Sequence, residues 1–192
     1  SLPTFASRWL VPRLPDFERK HPGIGINLTT RIDPFDLAHE RFDVAIHFGR
    51  ENWPDAKLTK LFDEAMIAVA SPRFVEEHAI EGAQTLLDAP LLHLQNRPGV
   101  WADWMREAGV QDAQVLPGKQ FDQFTMVIAG AVAGLGAGLL PAYLIEEELR
   151  TGTLVQIGTT RHQTANSYFL VQPLGLENPS ADAFVAWLCQ QA

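Results

Sequence analysis

With one cysteine in 192 residues, no long apolar run and no surplus of positive charge, the chain falls outside three classes of protein before any motif is read. The lone Cys189 can make no internal disulfide and has no second cysteine for a redox or zinc motif, which fits a reducing cytoplasm better than a secreted scaffold. It is expected to pack as a small hydrophobe in the last helix. No stretch approaches the ~20 apolar residues that a membrane span needs. The amino terminus lacks a basic segment followed by an apolar one, so the chain reads as soluble and cytoplasmic. Lys and Arg number 15 against 23 Asp and Glu, a formal net charge of −8. That balance lacks the basic footprint needed to neutralise phosphates, so this segment is not expected to bind DNA by itself.

Catalytic and metal patterns are missing as well. There is no G-x-S-x-G, no H-E-x-x-H and no P-loop, and Gly134-Leu135-Gly136-Ala137-Gly138 lacks the third glycine of a dinucleotide fingerprint and follows a helix. The six histidines are scattered, with no pair at metal-ligand spacing, so neither metal nor cofactor is expected. Glu146-Glu147-Glu148 reads as a solvated helix face. No repeat, low-complexity tract or flexible linker interrupts the chain.

What is present is a composition 46% hydrophobic and 20% charged, enough to bury one large core or two small ones. Residues 24–30 alternate apolar and polar as a strand does, and Asp33-Pro34 offers an N-cap and a first-turn proline for a helix through Arg41. Residues 44–48, 65–70, 91–94, 114–121, 136–140, 154–157 and 168–171 read as further strands or extended runs. Between them, Ser71-Pro72 caps a helix to His78, and Trp101, Trp104, Met105 and Ala108 stripe a helix closed by Gly109. Residues 123–135 form an apolar helix with Gly130 and Gly134 in its interior, which implies close backbone packing. Residues 143–150 form a helix ending at Gly152, and Asn178-Pro179 opens a last helix striped by Phe184, Trp187 and Leu188. Pro12 and Pro15 make the opening helix irregular. This alternation is α/β, and two compact lobes joined by crossing strands fit it better than one large sheet.

Three segments in one order carry a resemblance: Thr4-Phe5-Ala6-Ser7-Arg8-Trp9-Leu10-Val11-Pro12-Arg13-Leu14, then Phe42-Asp43-Val44-Ala45-Ile46-His47-Phe48-Gly49, then Ala129-Gly130-Ala131-Val132-Ala133-Gly134-Leu135-Gly136-Ala137-Gly138-Leu139-Leu140-Pro141. Together they resemble the effector-binding domain of a LysR-type transcriptional regulator, in the branch similar to the glycine-cleavage activator and the β-lactamase regulator. The resemblance implies two Rossmann-like lobes with a central cleft, related to type 2 periplasmic binding proteins. Lobe I would take residues 1–69 and 162–192, and lobe II residues 70–161. It also implies a sensor of a small anionic or zwitterionic metabolite and not an enzyme, a homodimer or tetramer, and DNA binding through an N-terminal winged helix-turn-helix outside this sequence. A periplasmic solute-binding protein and an enzyme of the same two-lobe fold are the competing readings. Relatives begin the domain with a whole apolar strand that is nearly missing here, so either the sequence starts inside the domain or the first lobe is completed by another chain.

Candidate effector-binding residues come from strand ends and helix starts. Thr4 stands where a first helix begins, near its unsatisfied N–H groups, and is read as cap and ligand contact alike. Arg31 and Asp33 follow the second expected strand at a carboxyl edge. Arg31 can fork onto a carboxylate or phosphate, while Asp33 reads first as a helix cap. His47 ends the strand at 44–48, and its titration range permits pH sensing. Gln95, Asp122, Gln123 and Phe124 form the second lobe's contribution, with Gln123-Phe124 standing where relatives carry small hydroxyl residues. Phe5, Trp101 and Tyr168 are candidate walls: Phe5 reads equally as core, Trp101 reads first as part of its helix stripe, and for Tyr168 the contact is what the resemblance implies.

Overall fold

The computed structural model describes residues 2–31, 37–40, 42–111, 116–175 and 177–192, with the side chains of Ala38 and His39 left aside. It divides into two compact units: residues 1–64 with 164–192, and residues 65–163. The sequence reading placed the crossings at 69/70 and 161/162. The unit boundaries at 64/65 and 163/164 fall inside continuous strands, β2 (Ala56–Ala70) and β7 (His162–Pro173), where no break in the apolar pattern marks them.

In the first unit the chain opens with α1 (Pro3–Phe5), passes through a π-helical turn (Ala6–Leu10) and a 3₁₀ turn (Val11–Arg13), and continues as α2 (Leu14–Lys20). The two prolines cause this changing register, since Pro12 and Pro15 lack the N–H that an unbroken α ladder requires. α3 (Leu37–Glu40) lies in the stretch where a helix was expected, but Asp33, Pro34 and Arg41 fall outside the described residues. β1 (Ala45–Gly49) pairs antiparallel with β7, aligning His47 with Phe169 and Phe48 with Tyr168. The strand order is β1-β7-β2.

α8 (Pro179–Cys189) begins as read, with the Asn178 side chain accepting from the Ala181 N–H at 3.1 Å. It joins α2 through the Trp187 indole N–H, which donates to Asp16 at 2.9 Å, and through the edge of Phe184 on Phe17. Two expectations fail here. Cys189 ends α8 exposed instead of packed, because its position falls off the buried stripe of Trp187 and Leu188. Residues 24–30 form no strand and join no ladder among the described residues.

The second unit holds its own core. β3 (Leu91–Leu94) runs parallel to β4 (Gly118–Phe121) and to β5 (Ala137–Pro141), and β5 pairs antiparallel with the second half of β2, which also carries β6 (Val155–Gln156). Helices α4 (Pro72–Glu77), α5 (Val100–Glu107), α6 (Phe124–Val132) and α7 (Glu146–Thr151) are added. The caps are those the residues announce: Ser71 accepts from the Phe74 N–H, and Gly109 and Gly152 close α5 and α7 at φ 82° and 72°. Trp101, Trp104, Phe74, Met66 and Leu92 fill a core with the apolar face of α6. Gly130 lies inside α6, where an added Cβ would press on Leu92 at 3.1 Å. Gly134 is a different case from the one expected. It adopts φ 75° and terminates α6, with the Leu135 N–H donating back to the Gly130 carbonyl.

Candidate functional site

The second unit brings several nominated residues to one edge. β3 and β4 are parallel and in register at Leu94 and Phe121, so both end on the same side of the sheet. Open α/β sheets place ligands at that carboxyl edge. Gln95 follows β3 and donates its backbone N–H to the Phe121 carbonyl at 2.7 Å, which locks the two strand ends together. Asp122 follows at once, and Gln123 is the extended N-cap of α6, making no side-chain cap bond. Phe124, the first residue of the helix, is buried. The early N–H groups of such a helix carry partial positive charge.

Arg97 joins this edge and escaped the sequence reading. Its N–H donates to the Leu94 carbonyl at 2.9 Å, turning the chain back after β3. The turn sets the guanidinium 4.9 Å from the centre of the Phe124 ring, with Nη1 4.0 Å from the Met66 sulfur. A cation over an aromatic face is held in place with little rotamer freedom. The available signal was a charged residue two positions past Gln95, at the end of a buried strand. Trp101 is drawn away from this edge: its ring is 2% exposed and its indole N–H donates to the Leu92 carbonyl at 3.0 Å. It is a core residue, because a ring that shares a helix face with Trp104 and Met105 is buried with them.

In the first unit, Thr4 is the second residue of the helical run, behind the N-cap Leu2 and Pro3 at the first position. It is therefore a first-turn residue and not the cap expected from its place in the sequence. Phe5 stacks on Tyr168 at 4.6 Å and on Trp9 at 5.0 Å, and Phe62 and Phe48 lie 5.2 and 4.8 Å from the Tyr168 ring. These rings form one aromatic group, in which Phe5, Trp9 and Tyr168 are almost fully enclosed and Phe48 and Phe62 half-buried.

His47 is not part of that group. Strand alternation sends it to the other face, where its ring meets Trp53 at 5.2 Å and Phe169 at 6.4 Å and its Nε2 lies 3.2 Å from the Arg50 carbonyl. Burial pulls its pKa below the ordinary histidine value, opposed by that carbonyl. Arg31 lines a cavity of about 330 Å³ with residues 24–29, 42–46 and the start of α8, and pairs with Glu40 at 2.7 Å. Asp33 lies outside the described residues. Among the described residues no three His, Cys, Asp or Glu side chains gather as a metal site.

The family model described as the LysR substrate binding domain matches residues 1–192. Among characterised proteins, the chain is 31% identical to the HTH-type transcriptional regulator TrpI of Pseudomonas aeruginosa, over 96% of this chain and 63% of that protein. It is also 31% identical to the glycine cleavage system transcriptional activator of Escherichia coli, over 100% of this chain and 63% of that protein. The chain thus spans less than two thirds of the length of these relatives. Its fold is similar to that of the effector domain of the transcriptional regulator AmpR of Pseudomonas aeruginosa, with TM-score 0.85 and 28% identity, covering 98% of this chain and 91% of that one. For the AmpR effector binding domain of Citrobacter freundii the values are 0.84 and 28%, covering 98% and 94%. The α/β architecture is that of the periplasmic-binding-protein-like effector domains, and the resemblance read from three segments extends along the whole sequence. The chain belongs to the LysR substrate-binding domain family.

Proposed function

We propose that this chain is the effector-sensing part of a LysR-type transcriptional regulator, which takes up a small anionic or zwitterionic metabolite without transforming it. The observation that carries the reading is the carboxyl edge of β3 and β4, where Arg97 lies over the first residue of α6. A guanidinium with a planar fork of donors suits a carboxylate, and the amino end of α6 adds partial positive charge beside it. Gln95, Gln123 and Asp122 supply amide and carboxylate groups for the uncharged or ammonium part of the ligand. Thr4 and Tyr168 are the first unit's candidates, and Arg31 is a weaker one because Glu40 already answers its charge. Sensing then requires that the metabolite bind one arrangement of the regulator better than another, since only differential affinity shifts an equilibrium. We place the regulator in the cytoplasm as a homodimer or tetramer whose DNA contacts lie in segments outside these residues, in keeping with the net charge of −8.

Thermal unfolding in the presence of an amino-acid and carboxylate library tests this reading. A ligand that raises the midpoint is expected to lose affinity about tenfold or more in Arg97→Ala, the scale of one charge-assisted hydrogen bond, and several-fold in Thr4→Ala. Arg31→Ala is expected to change less. Unchanged affinity in both Arg97→Ala and Thr4→Ala would remove the site.

A further inference from the structure

We infer that His162 and Glu107 form a proton-operated clasp that fastens the entry of β7 to the end of α5. Trp104 and Glu107 lie one turn apart on α5 and so share a face. Both reach the segment that leads into β7. The buried Trp104 indole N–H donates to the Thr160 carbonyl at 3.2 Å, and the His162 Nδ1 lies 2.8 Å from the Glu107 Oε1. These two tethers differ in kind. The first joins neutral groups and holds at any pH, whereas the second becomes an ion pair only when the imidazole carries a second proton. The His162 side chain is 13% exposed and that of Glu107 46%, so the ring is sheltered while its partner stays in reach of solvent.

The other charged groups on the elements that meet this segment are engaged elsewhere or face water. On α5, Arg106 pairs with Asp103 at 2.9 Å, and Arg161, beside the histidine, is exposed. On β2, which pairs with β7, Lys57 is exposed, Lys60 pairs with Asp63 at 2.7 Å, and Glu64 accepts from the Thr164 hydroxyl at 3.3 Å. Glu107 also stands in the last turn of α5, where the carbonyl end of a helix attracts a cation. The place of the clasp gives it leverage. The second unit ends at residue 163, inside β7, so the clasp acts where the chain leaves that unit. At its other end α5 begins at Val100, just past the turn that sets Arg97. If Arg97 binds effector as proposed above, one helix links the effector site to the clasp, and by linkage a proton and an effector would each alter the hold of the other. That last step alone rests on the effector reading; the clasp stands without it.

The test is native-state amide hydrogen exchange of the 192-residue protein without ligand at about pH 7.5 and about pH 5.5, across the range in which histidine titrates, each rate divided by that of an unstructured chain. Protection at 161–164 is expected to rise about threefold on acidification, the scale of a partly exposed ion pair. Protection at 137–140 is expected not to rise, since His47 and His93 are buried neutral and their protonation weakens the fold. Glu107→Gln keeps the shape of the acceptor without its charge and is expected to abolish the rise at 161–164. His162→Gln is expected to do the same, and either variant alone decides. No rise in the wild-type protein overturns the inference. So does a rise that survives Glu107→Gln or His162→Gln, or one matched at 137–140, which would report global stability and not a clasp.

Discussion

His93 sits on β3 with its ring held below the ordinary histidine pKa, chiefly by burial and against hydrogen bonds to the Pro117 and Leu116 carbonyls. Its Nε2 is buried with no hydrogen-bond partner among the described residues, so a proton added there would be a dehydrated donor. His47 is depressed for the same main reason. When the folded pKa lies below the unfolded one, the unfolded chain takes up protons first as pH falls. The stability tied to these neutral rings is therefore intact above the unfolded value of ~6.5 and is lost as pH drops from there towards the folded values. The unfolding midpoint is expected to fall between pH 7.5 and pH 5, and His93→Gln to flatten that fall, measured by thermal melts across the range. A midpoint independent of pH would contradict it. At this scale the sequence placed His47 at the end of its strand but left its face open, because only the pairing of β1 with β7 decides which side its ring takes. Arg97 was passed over because its importance comes from Phe124, 27 positions away, brought beneath it by the parallel pairing of β3 with β4.

Three helices in the second unit end in the same way, and one uses the wrong residue for it. After α5 and α6, Gly109 and Gly134 take φ 82° and 75°, while the N–H of Val110 donates to Met105 and that of Leu135 to Gly130. After α4 the Ile80 N–H donates to the Val75 carbonyl in the same pattern, but the left-handed position is Ala79, at φ 49°. A Cβ there costs about 1 kcal/mol relative to glycine. Ala79→Gly is expected to stabilise the protein by roughly that amount, and Gly109→Ala or Gly134→Ala to destabilise it by about 1 kcal/mol or more, read from urea denaturation. A destabilising Ala79→Gly would show that the freedom it gives the unfolded chain outweighs the relief of strain. Helix starts and stops were legible because each is a local bargain between one side chain and a few backbone groups, as at Ser71 and Asn178. Strands were less so. The polar first half of β2 and the start of β7 are extended by their neighbours and not by their own pattern, while residues 24–30 have the pattern and join no ladder among the described residues.

Each of the two units has its own core cluster, and the distribution of backbone pairing differs between them. In the second, β5 is buried along its whole length and β3 is paired on both sides, by β4 and β5, under the apolar face of α6. In the first, β1 is paired on one side among the described residues and a cavity borders the other. Backbone with an open edge exchanges through small local openings, whereas a doubly paired and buried strand must await a larger unfolding event. Amides of 91–92 and 137–140 are therefore expected to be protected at least tenfold more strongly than those of 45–49 in native-state hydrogen exchange, a difference of about 1.4 kcal/mol in opening free energy. The second unit is also one contiguous stretch, 65–163, and holds its cluster of Trp101, Trp104, Phe74 and Leu92 without residues from the other. Low urea should accordingly raise exchange at 45–49 before it reaches 137–140. Simultaneous loss of protection at both, at every urea concentration, would show that the units unfold as a single cooperative block and that the open edge of β1 sets no local limit.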